Sequence, residues 1–180
     1  MNKTKIGGIL LVAGLMLTGC GTGQSSEANK VMSLTPSYAE LFTTVPGLTK
    51  AADAVVVGTV TASVDAPPVD GLPFTNALVE VEEWVKGGAE DNQVTIHQTG
   101  GTLDGVAFLD EDNPLLEVGE RGIFYLQKVP AGYVTLSGPT GRMTIAEGKA
   151  LPLPASTLTD IGTFKDVSAV IAETERLSTE

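Results

Sequence analysis

The chain has 180 residues, with 11 basic and 22 acidic side chains, one histidine and one cysteine. Its formal charge of −11 denies it the positive face that nucleic acid or an anionic lipid surface requires. A single cysteine excludes an internal disulfide, so the fold must rest on packing, which a chain of this length can supply.

Lys3 and Lys5 precede an uncharged stretch, residues 6–17, that runs into Leu17-Thr18-Gly19-Cys20. A membrane-spanning helix needs about 20 apolar residues, so this shorter run reads as the apolar core of a signal peptide. Leu17-Thr18-Gly19-Cys20 resembles the lipobox of bacterial lipoproteins. The resemblance implies that the Cys20 thiol receives a diacylglyceryl group and that cleavage falls between Gly19 and Cys20. Two acyl chains suffice for stable anchoring. The expected location is therefore the extracytoplasmic face of the cell membrane, or an outer membrane if the host has two. Loss of residues 1–19 leaves 161 residues, nine basic and 22 acidic side chains, and a charge of −13.

Residues 20–33 are small and polar after the cysteine and read as a flexible tether. Residues 34–180 are taken as one domain. Ser37-Tyr38-Ala39-Glu40 has capping-box spacing, and Tyr38, Leu41, Phe42 and Val45 continue at helical intervals up to Pro46. A short turn with Leu48, Ala51 and Ala52 follows. From Asp53 the period becomes two, with Val56, Gly58, Val60, Ala62 and Val64 facing one way, and Pro67-Pro68-Val69-Asp70-Gly71 reads as a loop.

A second strand places Ala77, Val79, Val81 and Val85 on one side and Glu80, Glu82, Trp84 and Lys86 on the other. Val94 and Ile96 alternate with Gln93, Thr95 and His97 in a third. Residues 102–119 read as a long acidic loop. Ile123-Phe124-Tyr125-Leu126 is continuously apolar, as in a strand covered on both faces. Val134 and Leu136 mark a fifth strand, and Gly138-Pro139-Thr140-Gly141 a turn. Met143 and Ile145 form a sixth strand, ended by Glu147-Gly148. Thr163 then caps a helix with Phe164, Val167, Val170 and Ile171 as its apolar stripe. The expected fold is mainly β. It is a small antiparallel barrel of five or six strands, of the oligonucleotide/oligosaccharide-binding (OB) type, with an N-terminal and a C-terminal flanking helix.

Ala52-Asp53-Ala54-Val55-Val56-Val57-Gly58-Thr59-Val60 resembles the opening of small exported bacterial domains related to the netrin-like, metalloproteinase-inhibitor-like OB barrel. Val79-Glu80-Val81, Val85-Lys86-Gly87, Gly100-Gly101, Val118-Gly119-Glu120-Arg121 and Gly138-Pro139-Thr140-Gly141-Arg142 extend the likeness. It implies fold rather than activity. Inhibitors of that kind brace a free N-terminal cysteine with disulfides, which this chain cannot do, so inhibition is not carried over.

His97 is the only histidine. Zinc sites need three or four ligands and a catalytic triad needs an oriented base, so a strand histidine beside Thr95 is the plainer reading. Glu80 and Glu82, two apart on one strand, lie about 6.5–7 Å from each other, near the spacing of inverting glycosidases. Any strand with alternating glutamates gives that spacing. Asp110-Glu111-Asp112-Asn113 offers hard oxygens for calcium, but Pro114 interrupts the ligand pattern.

No metal, cofactor or catalytic residue is assigned. Trp84, with Glu80 and Glu82, is the candidate partner-binding patch. The expectation is a membrane-anchored, non-catalytic binding module for an envelope protein or glycan. The alternative is a carboxylate-dependent cell-envelope hydrolase.

Overall fold

The computed structural model describes residues 30–88, 92–164 and 166–179. The signal segment, the cleavage site, Cys20 and the tether as far as residue 29 lie outside the described residues. No helix of the described residues is long and apolar enough to cross a membrane.

The domain is mainly β. Its strands are β1 (Lys30–Ser33), β2 (Ala54–Val69), β3 (Leu72–Lys86), β4 (Gln93–Thr99), β5 (Gly101–Leu103), β6 (Val106–Leu109), β7 (Arg121–Val129), β8 (Gly132–Thr135), β9 (Arg142–Ala146) and β10 (Lys149–Pro152). Two helices, α1 (Val45–Ala51) and α2 (Val167–Ser178), accompany them. Strands β2, β3, β4, β8 and β7 form a closed ring, because β7 pairs with both β2 and β8. Every pairing in the ring is antiparallel except β4 with β8, which is parallel and meets at Ile96 and Tyr133 alone. Strands β9 and β10 continue the sheet from β7, and β1, β6 and β5 form a separate small sheet.

The unbroken apolar runs of β2 and β7 follow from burial on both faces. Ala54, Val56, Phe124 and Leu126 point into the ring and meet Ala77, Val79, Val94 and Ile96. Val55, Val57, Ile123 and Tyr125 point outward, against Val45 and Leu48 of α1 and Val170 of α2. Full burial of one such side chain contributes about 1.5–3 kcal/mol, so these two strands join both cores and carry much of the stability.

Several expectations are corrected. Residues 37–44 are not helical, and the helix starts at Val45. A helix begun at Tyr38 and continuous with the one at Val45–Ala51 would hold Pro46 in its interior, where the ring removes a hydrogen bond and clashes. Started at Val45, it places Pro46 in the first turn, where no N–H partner is needed. Thr44 caps the start through the Gly47 amide at 3.2 Å, and the Val45 amide donates to both Asp160 carboxylate oxygens at 3.1 Å. Lys86 closes the far end, its Nζ donating to the carbonyls of Thr49 (2.8 Å), Lys50 (3.3 Å) and Ala52 (2.7 Å).

Pro67 and Pro68 are not a loop but an unpaired bulge near the end of β2, and Asp70-Gly71, both at positive φ, make the hairpin turn. The acidic stretch 102–119 contains the β5–β6 hairpin. Residues 30–33, assigned to the tether, pair in parallel with β6. Strand β10 was not anticipated, and the last helix starts at Val167 rather than after Thr163. The described residues therefore hold more strands than the expected five or six, with five of them in the ring.

The ring closes at a glycine. Gly132 has φ of 125°, and a Cβ built there would lie 2.7 Å from the Thr95 carbonyl oxygen. Only a residue without a side chain lets β8 approach β4 this closely. Gly132→Ala is expected to destabilise the domain by at least about 2 kcal/mol through backbone strain and the clash, measured by urea unfolding.

Candidate functional site

Beyond Ile96 and Tyr133 the two parallel strands share no further pairs. His97, Gln98 and Thr99 on one side and Val134, Thr135 and Leu136 on the other line a cleft of about 370 Å³. The segment Pro36 to Glu40 forms its third wall, and Asp110, Asn113, Gln127, Ser137 and Gly138 complete it.

Tyr38 joins the third wall to the rest. Its ring lies on Gly138, where a side chain would collide with it. Its hydroxyl donates to Asp110 Oδ2 at 3.2 Å. The other Asp110 oxygen accepts from the amides of Asp112 (3.1 Å) and Asn113 (3.2 Å), a local turn that explains why this carboxylate can sit buried. Burial first, and then the adjacent Asp110 charge and hydrogen bond, push the Tyr38 pKa up to about 12, against the opposing pull of the Asn113 amide.

The loop that delivers Asp110 and Asn113 is held from two strands. Gln98 of β4 accepts from the Leu116 amide at 2.9 Å and donates to the Pro114 carbonyl at 3.4 Å. Arg142 of β9 donates to the same carbonyl at 2.6 Å, with Glu120 4.0 Å away. Arg142 Nε and Nη1 have no hydrogen-bond partner, and the Glu120 oxygen 4.0 Å from Nη1 compensates the buried charge only in part.

Two further buried polar atoms lack partners, Ser137 Oγ and Asn113 Oδ1, and both residues line the cleft. Ser137 is 8% exposed and adopts a left-handed conformation, φ 58° and ψ 33°. That backbone is unusual for a residue other than glycine and costs about 1–2 kcal/mol.

His97 stands at the cleft wall. Its Nδ1 donates to Asn76 Oδ1 at 2.7 Å, which leaves Nε2 as an acceptor. Its ring stacks on Phe74 with centroids 4.7 Å apart. Burial lowers its pKa, so the neutral ring is the form present at neutral pH. The plain solvated histidine of the sequence reading is therefore half-buried and stacked.

Of the residues singled out from sequence, His97, Asp110 and Asn113 line the cleft, and the expected partner-binding patch lies elsewhere. Glu80 and Glu82 are exposed, and neither lines this cleft. Glu82 accepts from Arg121 (Nη2 at 2.7 Å, Nε at 3.0 Å) and from Thr59 Oγ1 at 2.9 Å. The Arg121 hydrogen bonds lower its pKa. Trp84 does not share their face. Register shifts around Glu82 and Val85 reverse the alternation, so Trp84 packs half-buried against the inner core and Val85 against the outer one. Gly19 and Cys20 lie outside the described residues. Among the described residues, no group of three or more histidine, cysteine, aspartate and glutamate side chains is gathered as metal ligands, the 110–113 loop included.

The chain matches no protein-family model, and no curated protein is similar to it at a significant level. The cleft residues Tyr38 and Ser137 carried no site signal in the sequence, and Asn113 stood out only as part of the acidic 110–113 stretch weighed for calcium. The helical spacing of residues 38–45 disguised the first, and the other two sit in loop and turn.

The raised Tyr38 pKa fixes a pH dependence. A phenol that titrates near 12 when folded and near 10 when unfolded adds stability that is complete below pH 10 and lost as pH rises through 12. Alkaline unfolding followed by phenolate absorbance should move less steeply over that window in Tyr38→Phe. A remainder should persist from Tyr125, whose pKa burial also raises. At pH 7 the variant should lose about 1 kcal/mol with the hydrogen bond to Asp110.

Proposed function

We propose that this chain is a lipid-anchored, extracytoplasmic binding module, built on an OB-like barrel and without catalytic activity, that holds an envelope glycan or protein in the cleft beside β4. The lipobox-like Leu17-Thr18-Gly19-Cys20 is the support for the anchor. A five-stranded ring closed by one parallel pair, with a gap at that pair, is the support for an OB-like, netrin-like barrel. OB barrels take ligands against the face of their second and third strands. In this ring those are β3 and β4, and His97 and Thr99 of β4 line the cleft.

The observation that carries the reading is the cleft itself, a small hollow of mixed polar and apolar lining, two of whose residues, Asn113 and Ser137, bury a hydrogen-bonding atom without a partner. Buried polar groups are ordinarily paired, and leaving one unpaired costs about 1–3 kcal/mol. A ligand would recover that cost.

The hydrolase alternative has weaker support. Glu82 is engaged by Arg121 and Thr59, which favours its ionised form and denies it the part of a proton donor. His97 is oriented by the Asn76 amide rather than by a carboxylate.

Two measurements test the proposal. Cells grown with a labelled fatty acid should transfer label to this polypeptide, and Cys20→Ala should abolish both label and membrane attachment. A photo-reactive group placed at Glu40, on the cleft rim, should cross-link an envelope component in intact cells, whereas one at Glu80 should not. Equal yields at the two positions would remove the cleft from the account.

A further inference from the structure

We propose that the cleft takes a neutral, hydroxyl-rich ligand, a single sugar ring or a short neutral oligosaccharide end, with Ser137 and Asn113 as the residues that select it. This rests on the reading of the cleft as a binding site and narrows it to one chemical class.

Size comes first. Ligand pockets begin at about 300 Å³, and this one, at about 370 Å³, belongs with the smallest. A folded protein segment would demand a larger and more apolar surface.

Charge comes second. No lysine or arginine is among the lining residues, so a phosphate, sulfate or carboxylate would touch no cation there, and the Arg142 charge behind the wall already faces Glu120 and Asp110. Of the two acidic residues, Asp110 has both oxygens engaged by Tyr38 and by the Asp112 and Asn113 amides. Glu40 is exposed to water. Neither offers a cation a dry, unpaired carboxylate, so a neutral ligand is favoured over an amine.

Hydrogen bonding comes third. Asn113 Oδ1 accepts only, His97 Nε2 accepts in the tautomer that Asn76 imposes, and Ser137 Oγ can do either. Ligand hydroxyls supply the matching donors and can accept in return. Ser137 Oγ and Asn113 Oδ1 are covered by the surrounding protein. Rotation about χ1 would turn either toward a hydroxyl that reaches the base. His97, held by its stack on Phe74 outside the cleft, and Tyr38 are the aromatic rings of the lining against which the C–H face of a sugar can lie.

An extended peptide laid between β4 and β8 would use the same gap, but residues 36–40 already run beside both strands there.

The left-handed backbone of Ser137 makes the test clean. Glycine adopts φ of 58° freely, so Ser137→Gly removes the hydroxyl without straining the turn. The full chain, isotope-labelled in a zwitterionic detergent that carries no sugar, is titrated with glucose, N-acetylglucosamine and chitobiose. Tetra-alanine, tetramethylammonium and acetate are titrated in parallel.

At least one sugar should give saturable amide shifts centred on Asn113, Ser137 and Gly138. Ser137→Gly and Asn113→Leu should each weaken that binding roughly tenfold. Ser137→Gly should not lower the thermal midpoint, since glycine relieves the left-handed backbone and removes an unpaired hydroxyl. Absence of saturable shifts with every sugar overturns the inference. So do preferential binding of the peptide, cation or anion, and sugar shifts that both variants leave intact. Those outcomes would leave the broader binding-module reading in place wherever the Glu40 cross-link still forms.

Discussion

The approach of Gly132 to the Thr95 carbonyl is the constraint on which the rest of the structure depends. It brings β8 onto the open edge of β4 while β8 is already paired with β7, and so turns a curved sheet into a ring. The closure is confined to Ile96 and Tyr133. Past that point the strands no longer pair, and the space between them is the cleft. Ring and cleft are thus one feature, since the same contact closes the sheet and sets where it stays open.

The space is roofed by a segment with no regular structure, and a specific contact explains why. Residues 34–44 lie between a strand held by β6 and a helix whose first amides are held by Thr44 and Asp160. Between those fixed points, Tyr38 finds a glycine to lie on and a buried carboxylate to donate to. An amphipathic helix over the same residues would bury Leu41 and Phe42 but would draw Tyr38 away from Asp110 and force Pro46 into a helix interior. Leu41 is left exposed. The proline decides the competition, because its penalty of about 3 kcal/mol exceeds what one aliphatic side chain returns.

Much of the core was legible in the residues. The continuous run Ile123-Phe124-Tyr125-Leu126 announced a strand covered on both faces, and it is the strand that joins the two cores. Glu147-Gly148 marked a real turn, and β4 stops just before Gly100. What could not be read was whatever depends on pairing. The bulges at Glu82 and Val85 reverse the facing of Trp84, and nothing local to β3 encodes them, since they arise from its register with β2. Lys30-Val31-Met32-Ser33 looks like tether because half of it is polar, and it becomes a strand only because β6 offers an edge. The cleft was invisible for the same reason. Its walls come from positions near 38, 98, 113 and 137, none of which marks this cleft on its own.

Closure of the ring and docking of Tyr38 can be seen directly by nuclear Overhauser measurements on the labelled chain. The structure requires cross-peaks between the backbones of Ile96 and Tyr133, and between the Tyr38 ring and the α-protons of Gly138. If β4 and β8 show no mutual contact, or the Tyr38 ring sees only its own neighbours in sequence, there is no closed ring, no cleft, and no basis for the binding site built on them.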